Sequence, residues 1–386
     1  MKNIRMINPP VYSGSTVLFD SYQDLLAISD GSYDGITYGT DRLPTQREFE
    51  QKLCALEGGF LTRAFPSGIS AIVNTLMALT SSGDHILVVE NVYGPTAQFC
   101  SRILAKYNVE FEVIPGNVGE DIENYIKANT RLIFLEAPGS NTFEIQDIEQ
   151  VAAIAGSKGI CTILDNTWAT PLFLDPFNYG VDIVIQSVTK YISGHSDVLL
   201  GTVTTNEEYS KQVEAFYTTM ELFAPSQDCY LALRGLHTLG VRLRQHERSA
   251  LRLGEWLASH PLVDRVLHPA LEEHPQHALW KKYFSGSSGL FGFTLKDDYS
   301  EEKVSLFLDK LKLFGIGFSW GGFKSLVTIG EYDRPFSKMI AGKKVIRLHV
   351  GLEDVDALQN DLEDGLKVFK NSFVKSESKA RELRTV

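Results

Sequence analysis

From Gln46 onward the apolar residues alternate between two spacings. Ile69 to Leu79 and Pro95 to Tyr107 carry them at helical intervals, whereas His85 to Glu90 and Phe111 to Pro115 are short continuous runs of the kind that form buried strands. The alternation continues through Arg131 to Glu136, Ile160 to Leu164 and Ile183 to Ile185. Between the first two of these lies a helix predicted over Asp147 to Ala155, opening on an Asp cap. Strands apolar on both faces and separated by helices predict an α/β fold with a mostly parallel sheet.

The pattern changes at both ends of the chain. Residues 1–45 are rich in Gly, Pro, Ser, Thr and Tyr without sustained periodicity, which predicts an extended arm packed on a neighbouring subunit. Residues 46–240 form the large domain. Beyond Leu239 the composition shifts to a long basic helix over Val241 to His260, strands at Gly289 to Leu295 and Val345 to Val350, and helices at Glu301 to Leu313 and Val355 to Phe369. Residues 241–386 therefore read as a smaller α+β domain, with Asn371 to Val386 as a surface helix or frayed tail.

Charge and cysteine usage narrow the function. With 48 acidic and 37 basic residues the net charge is -11, so no overall positive field exists to draw nucleic acid or anionic lipid. No run approaches the roughly 18 apolar residues of a spanning helix, and Met1 to Gly14 has no signal-like apolar core, so a cytoplasmic protein is expected. Cys54, Cys100, Cys161 and Cys229 are scattered and form no C-x-x-C pair, as expected of reduced, mostly buried thiols.

Three apparent motifs carry no chemistry. Gly286, Gly289 and Gly292 lack the close glycine pair of a dinucleotide fingerprint and read as a turn entering a strand. Gly194-His195-Ser196-Asp197-Val198 has Val where a nucleophile elbow needs its second Gly. His268, His274 and His277 stand near Glu272 and Glu273, but Pro269 and Pro275 break any helix that would aim them at one metal, so a solvated loop is expected.

The informative stretch is Asp165 to Gly201. An acid ends one predicted strand, and Ser187-Val188-Thr189-Lys190 follows another. In parallel sheets ligands bind at these carboxyl edges. Pyridoxal phosphate needs a lysine for its Schiff base and a carboxylate against its pyridine nitrogen, and Lys190 and Asp165 supply both. Its phosphate wants helix-start amides and hydroxyls: Ser67-Gly68-Ile69 opens a helix, and Ser187 and Thr189 flank the lysine. Tyr93, just past a strand, offers an aromatic face to the ring. Singly, each residue has a plain structural role; their coincidence at strand ends points to the cofactor.

These residues resemble the pyridoxal-phosphate enzymes of cysteine and methionine metabolism, and the resemblance covers nearly the whole chain. It is carried by YGTDRLPT from Tyr38, LEGGF from Leu56, FPSGISA from Phe65, EAPGSNTFE from Glu136, DNTWA from Asp165, SVTKYISGHSDVLLG from Ser187, RGLHTLGVRLRQH from Arg234, SWGG from Ser319 and RLHVGLEDVDAL from Arg347. It implies the aspartate-aminotransferase-like fold (fold type I). It also implies that Lys190 binds the coenzyme and shuttles protons, Asp165 holds the pyridine nitrogen, Tyr93 stacks on the ring, and Gly68, Ile69, Ser187 and Thr189 grip the phosphate. Arg347 matches the arginine that binds the substrate carboxylate, and Ser319, Trp320 and Ser140 would line the same pocket.

Tyr38 matches a tyrosine that reaches in from an adjacent subunit, so at least a dimer is implied, and a tetramer by family analogy. Where the family has Arg two positions later this chain has Thr40, and Arg42 either replaces it or is a plain surface charge. Pro138-Gly139-Ser140, DNTWA and SWGG place the chain in the β-cleaving branch, acting on a sulfur amino acid such as cystathionine or cystine. The γ-acting branch is the alternative, although those relatives usually read P-[ST]-N-P where this chain has PGSN. A coenzyme-binding regulatory or scaffold protein is the alternative of a different class.

Overall fold

The computed structural model describes residues 6–382 apart from 298 and 341. Seven strands form the larger sheet: β1 (Leu61–Phe65), β2 (His85–Val89), β3 (Glu110–Ile114), β4 (Thr130–Glu136), β5 (Cys161–Asp165), β6 (Ile183–Gln186) and β7 (Gly201–Thr205). Their order is β1-β7-β6-β5-β4-β2-β3, and only β7 runs against the rest. The carboxyl ends of β1, β2, β4, β5 and β6 thus open on one edge. Residues of β2, β5 and β6 are buried throughout, because helices cover both faces.

A second sheet follows, of β8 (Val263–Leu267), β9 (Leu290–Leu295), β10 (Gly315–Ile316), β11 (Leu326–Gly330) and β12 (Val345–His349), in the order β10-β11-β12-β9-β8. The helix Ser226–Ser259 runs from the large sheet's side into this second layer. A core of Leu253, Leu257, Phe291, Phe293, Phe307, Leu362 and Leu366 closes the layer between that helix, the sheet and the helices Glu301–Lys310 and Val355–Glu382. The last of these carries the chain into the tail expected as a surface helix; positions 383–386 lie outside the described residues. No helix among the described residues is long and apolar enough to cross a membrane.

The structure departs from the sequence expectations in several places. The N-terminal arm holds a helix, Tyr22–Asp30, set by a capping box in which Ser21 and Asp24 exchange hydrogen bonds. The predicted helix over Pro95 to Tyr107 breaks at Ile103 into a 3-10 turn. Asp147 occupies the N-cap position of Ile148–Ser157 without capping it. Its carboxylate accepts from the Tyr283 hydroxyl and from Lys282, and that hydroxyl oxygen takes the Glu149 N–H instead.

The histidine loop is also not solvated. His268 and His274 are buried, and burial pushes both imidazoles down to about 3. A neutral imidazole can be buried because its Nδ1 accepts a local amide, that of Ala270 for His268 and that of Gln276 for His274. Glu272 and Glu273, which have no such option, point outward. No cluster of metal ligands occurs among the described residues, and the four cysteines are free.

One buried acid braces the site from behind. Glu57 accepts from Gln186 Nε2 at 2.9 Å, next to Ser187, and from Thr204 Oγ1 on β7. Complete burial pushes its carboxyl up to about 7. The folded state therefore keeps a proton that the unfolded chain loses near 4.5, so this group makes stability fall as pH rises from about 4.5 to about 7. Glu57→Gln should abolish that component, gaining a few kcal/mol on the wild type between the two limits. Denaturant unfolding of both proteins at stepped pH checks this, and parallel curves would refute it.

Candidate active site

The strand ends surround a cleft of about 230 Å³. Its floor is set by register: Glu136 at the end of β4 lies opposite Asp165 at the end of β5. Asp165 is buried, and its Oδ1 accepts from the Thr167 amide at 3.0 Å and from the Thr167 hydroxyl. That same hydroxyl oxygen accepts the Ser187 N–H at 2.8 Å, so the ends of β5 and β6 are tied through one side chain. Burial raises the Asp165 carboxyl, while the Thr167 bonds and Lys190 oppose the rise.

Lys190 projects into the cleft from the turn after β6. Its amine donates to Ser319 Oγ at 2.6 Å and lies 5.3 Å from the Trp320 ring centre. Burial and the Arg347 guanidinium pull it down to about 8, against the pull of Asp165. Arg347 stands on β12, and its Nη2 donates to the Ser319 carbonyl at 3.3 Å. The lysine and the arginine thus hold the same serine from two sides.

The opposite wall comes from the start of the helix Gly68–Leu79. Ser67 caps it by accepting the Ser70 N–H at 3.1 Å, which leaves the Gly68 and Ile69 amides without intrahelical acceptors at the positive end of the helix. A Cβ on Gly68 would stand 2.7 Å from Ser187 Oγ, so this glycine leaves open a cradle that a side chain would fill. The Thr189 hydroxyl also lines the cleft, engaged with the backbone of Leu200. An amine, a carboxylate at a strand end and an amide-lined cradle fit the aldehyde, pyridine nitrogen and phosphate of pyridoxal phosphate.

The structure therefore brings together Lys190, Asp165, Tyr93, Gly68, Ile69, Ser187, Thr189, Ser140, Trp320 and Arg347, with Ser319 bonded to the lysine. It does not bring in Tyr38 or Arg42. Tyr38 is exposed on the arm, and Arg42 binds the buried Glu50 at 3.0 Å.

Three residues not identified from the sequence shape the cleft. Glu136 accepts the Tyr93 N–H at 2.6 Å and the Ser140 hydroxyl at 2.5 Å; burial and the neighbouring Asp165 push it up to about 8. Arg334, beyond β11, donates to the carbonyls of Glu90 and Ser140 and fastens the second layer across the mouth. His349 grips the loop that carries Ser319. An acid at a strand end, as at Asp165, was the available signal for Glu136; the other two act on backbone atoms far away in sequence and gave none.

Fold and cleft together define a pyridoxal-phosphate-dependent enzyme of aspartate-aminotransferase-like fold. The profile of the family described as Cys/Met metabolism PLP-dependent enzyme matches residues 1–367, and the chain belongs to that family. Cystathionine beta-lyase MetC of Escherichia coli is 38% identical over 367 residues, covering 93% of each chain. An L-alanine/L-glutamate racemase of Wolbachia pipientis is 39% identical over 374 residues, 93% of this chain and 92% of its own. Among solved structures, metB from Corynebacterium glutamicum superposes with a TM-score of 0.85 at 31% identity, covering 94% of this chain and 93% of that one.

The electrostatics of Lys190 give a direct expectation. In the coenzyme-free protein its acetylation rate should rise with pH about a midpoint near 8 instead of the ordinary 10.5. Asp165→Asn, which removes the anion favouring the charged amine, should move the midpoint lower, and Arg347→Ala should move it higher. Peptide mass spectrometry after timed acetylation measures both, and a midpoint unmoved by either change contradicts this account.

Proposed function

We propose that this cleft catalyses β-elimination on a sulfur amino acid, with L-cystathionine as substrate and homocysteine, pyruvate and ammonia as products. The observation that carries the reading is the shared grip of Lys190 and Arg347 on Ser319, which sets a proton-accepting amine beside a carboxylate-binding guanidinium. The Pro138-Gly139-Ser140 and Ser319-Trp320-Gly321-Gly322 stretches, together with relatives named as β-lyases, favour β- over γ-cleavage.

Bound pyridoxal phosphate supplies an electron-poor ring that accepts the electron pair left when the substrate loses its α-proton. Lys190, pulled down to about 8, is uncharged near neutrality in a far larger fraction than an ordinary lysine, and that fraction can take the proton. Asp165 keeps a negative charge at the pyridine nitrogen, and Tyr93 covers one ring face. The Gly68 and Ile69 amides, with Ser187 and Thr189, hold the phosphate. Arg347 forks onto the α-carboxylate, joined by Ser140, and Trp320 with Ser319 closes that side. In the net reaction the Cβ–S bond breaks, sulfur leaves with its electron pair as the thiol product, and water releases pyruvate and ammonia.

Tyr38 belongs to the site in an assembly: the exposed arm of a second copy delivers it, so the working unit is at least a dimer, and we infer a tetramer acting in the cytoplasm. Arg42 serves Glu50, whose carboxyl is raised by burial and lowered by Arg63 and Arg42. Arg42→Ala should therefore leave coenzyme retention on a desalting column unchanged while lowering the unfolding midpoint. Loss of coenzyme from the variant would instead make Arg42 a phosphate ligand.

Purified protein supplied with cystathionine should release pyruvate and homocysteine, and borohydride should fix the coenzyme to a peptide spanning residues 187–195. Release of 2-oxobutyrate and cysteine would move the chain to the γ-acting branch. The Wolbachia relative favours a second reading, in which the abstracted α-proton is returned to the substrate carbon. Conversion of L-alanine to D-alanine at a rate exceeding pyruvate release would establish it. No turnover of any amino acid would leave a coenzyme-binding scaffold.

A further inference from the structure

The Ser319–Gly322 loop is held in an unfavourable backbone state. Ser319 has φ +76° and Gly321 φ +88°, and a Cβ on Gly321 would stand 2.6 Å from the Lys190 carbonyl carbon. A non-glycine residue persists in the left-handed region only where its surroundings enforce it. One strand supplies that enforcement. Arg347 and His349 are two residues apart on β12 and so share a face. Arg347 binds the Ser319 carbonyl, and His349 Nε2 lies 2.8 Å from the Gly322 carbonyl. A carbonyl oxygen can only accept, so Nε2 carries the proton. The Gly321 N–H, 3.4 Å from Nδ1 and 3.2 Å from Nε2, then has Nδ1 as its one acceptor on the ring.

The imidazole is therefore fixed as one tautomer. His349 is buried, and its ring lies 5.3 Å from His246 and 6.0 Å from Tyr191, which in turn packs 5.3 Å from Trp320. His246 is anchored through Nδ1 to the Val350 carbonyl at 2.7 Å. Burial and neighbouring His246 push His349 down to about 3, so it stays a neutral donor at neutral pH.

We propose that His349 is a positioning residue of the reaction: by gripping Gly322 it fixes Ser319 against Lys190 and thereby aims the amine. This deepens the proposed function and rests on Lys190 being the coenzyme lysine. The holoenzyme is compared with His349→Leu, which removes the donor, and with His349→Gln, whose amide nitrogen can reach the Nε2 position. His349→Leu should lower kcat about 10- to 100-fold, as misplacement of a reacting group does, with KM changed less than threefold. It should also alter the visible circular dichroism of the bound coenzyme, and His349→Gln should restore both.

In a Ser319→Ala background the leucine substitution should cost no further activity, because both changes break the same link. Should His349→Leu fail to fold, His349→Asn, polar but too short to reach Gly322, carries the same expectation. A kcat within twofold of wild type, or losses that multiply in the double variant, would overturn the inference. Borohydride labelling of the same preparations separates the two levels: a tag on Lys190 with an unaffected His349 variant sinks only this inference, whereas a missing tag sinks the reading beneath it.

Discussion

The ionisation of Lys190 is the constraint on which the site depends, and it is set by a balance of three influences in one confined space. Burial and Arg347 disfavour the charged amine, Asp165 favours it, and the amine is left at about 8. In open solvent such a group stays protonated and is no base; with no nearby anion it would drop further. Each contributor comes from a different part of the fold. Asp165 ends β5, Lys190 follows β6, and Arg347 lies on a strand of the second sheet. The seven-stranded sheet, with its parallel carboxyl ends on one edge, is what lets an acid and an amine from distant stretches meet while both leave water.

Much of this was legible in the chain. Runs such as those of β2, β4, β5 and β6 are apolar on both faces and rich in branched residues, so they stand out as central strands, and the chemistry at their ends follows from the geometry of parallel sheets. β1 and β7 stayed hidden because LTRAF and GTVTT mix polar with apolar positions. Two of their threonines are buried with hydrogen bonds to each other and to a buried acid: Thr62 to Thr204, and Thr204 to Glu57. A one-dimensional pattern scores those residues as exposed. The His268 loop misled for a related reason, since the His268 and His274 imidazoles enter the interior with a local amide on Nδ1.

In the site, the residues proposed to touch the coenzyme were visible in the chain and those that hold them in place were not. Lys190 and Asp165 occupy positions defined by strand order. Glu136 works through the Tyr93 amide 43 residues away, and Arg334 through the Ser140 carbonyl 194 residues away. Such contacts depend on how two layers close over each other, and no local spacing encodes that. Their placement has a common logic: Arg334 reaches from the second layer to Glu90 and Ser140 of the first, while Arg347 and His349 hold within the second layer the loop whose Ser319 takes the Lys190 amine, so the cleft exists only when the two layers are docked.

The phosphate end shows how little fixed charge a single chain commits to its anion. Both cations lining the cleft, Lys190 and Arg347, are bound to Ser319. Arg42, the nearest counterpart of the missing family arginine, is held by Glu50. What faces the cradle is neutral: two unpaired amides at a helix start and the Ser187 hydroxyl. A helix terminus is equivalent to roughly half a charge, whereas a doubly charged phosphate demands more, so on the proposed reading the balance falls to the covalent link at Lys190 and to whatever the neighbouring subunit brings.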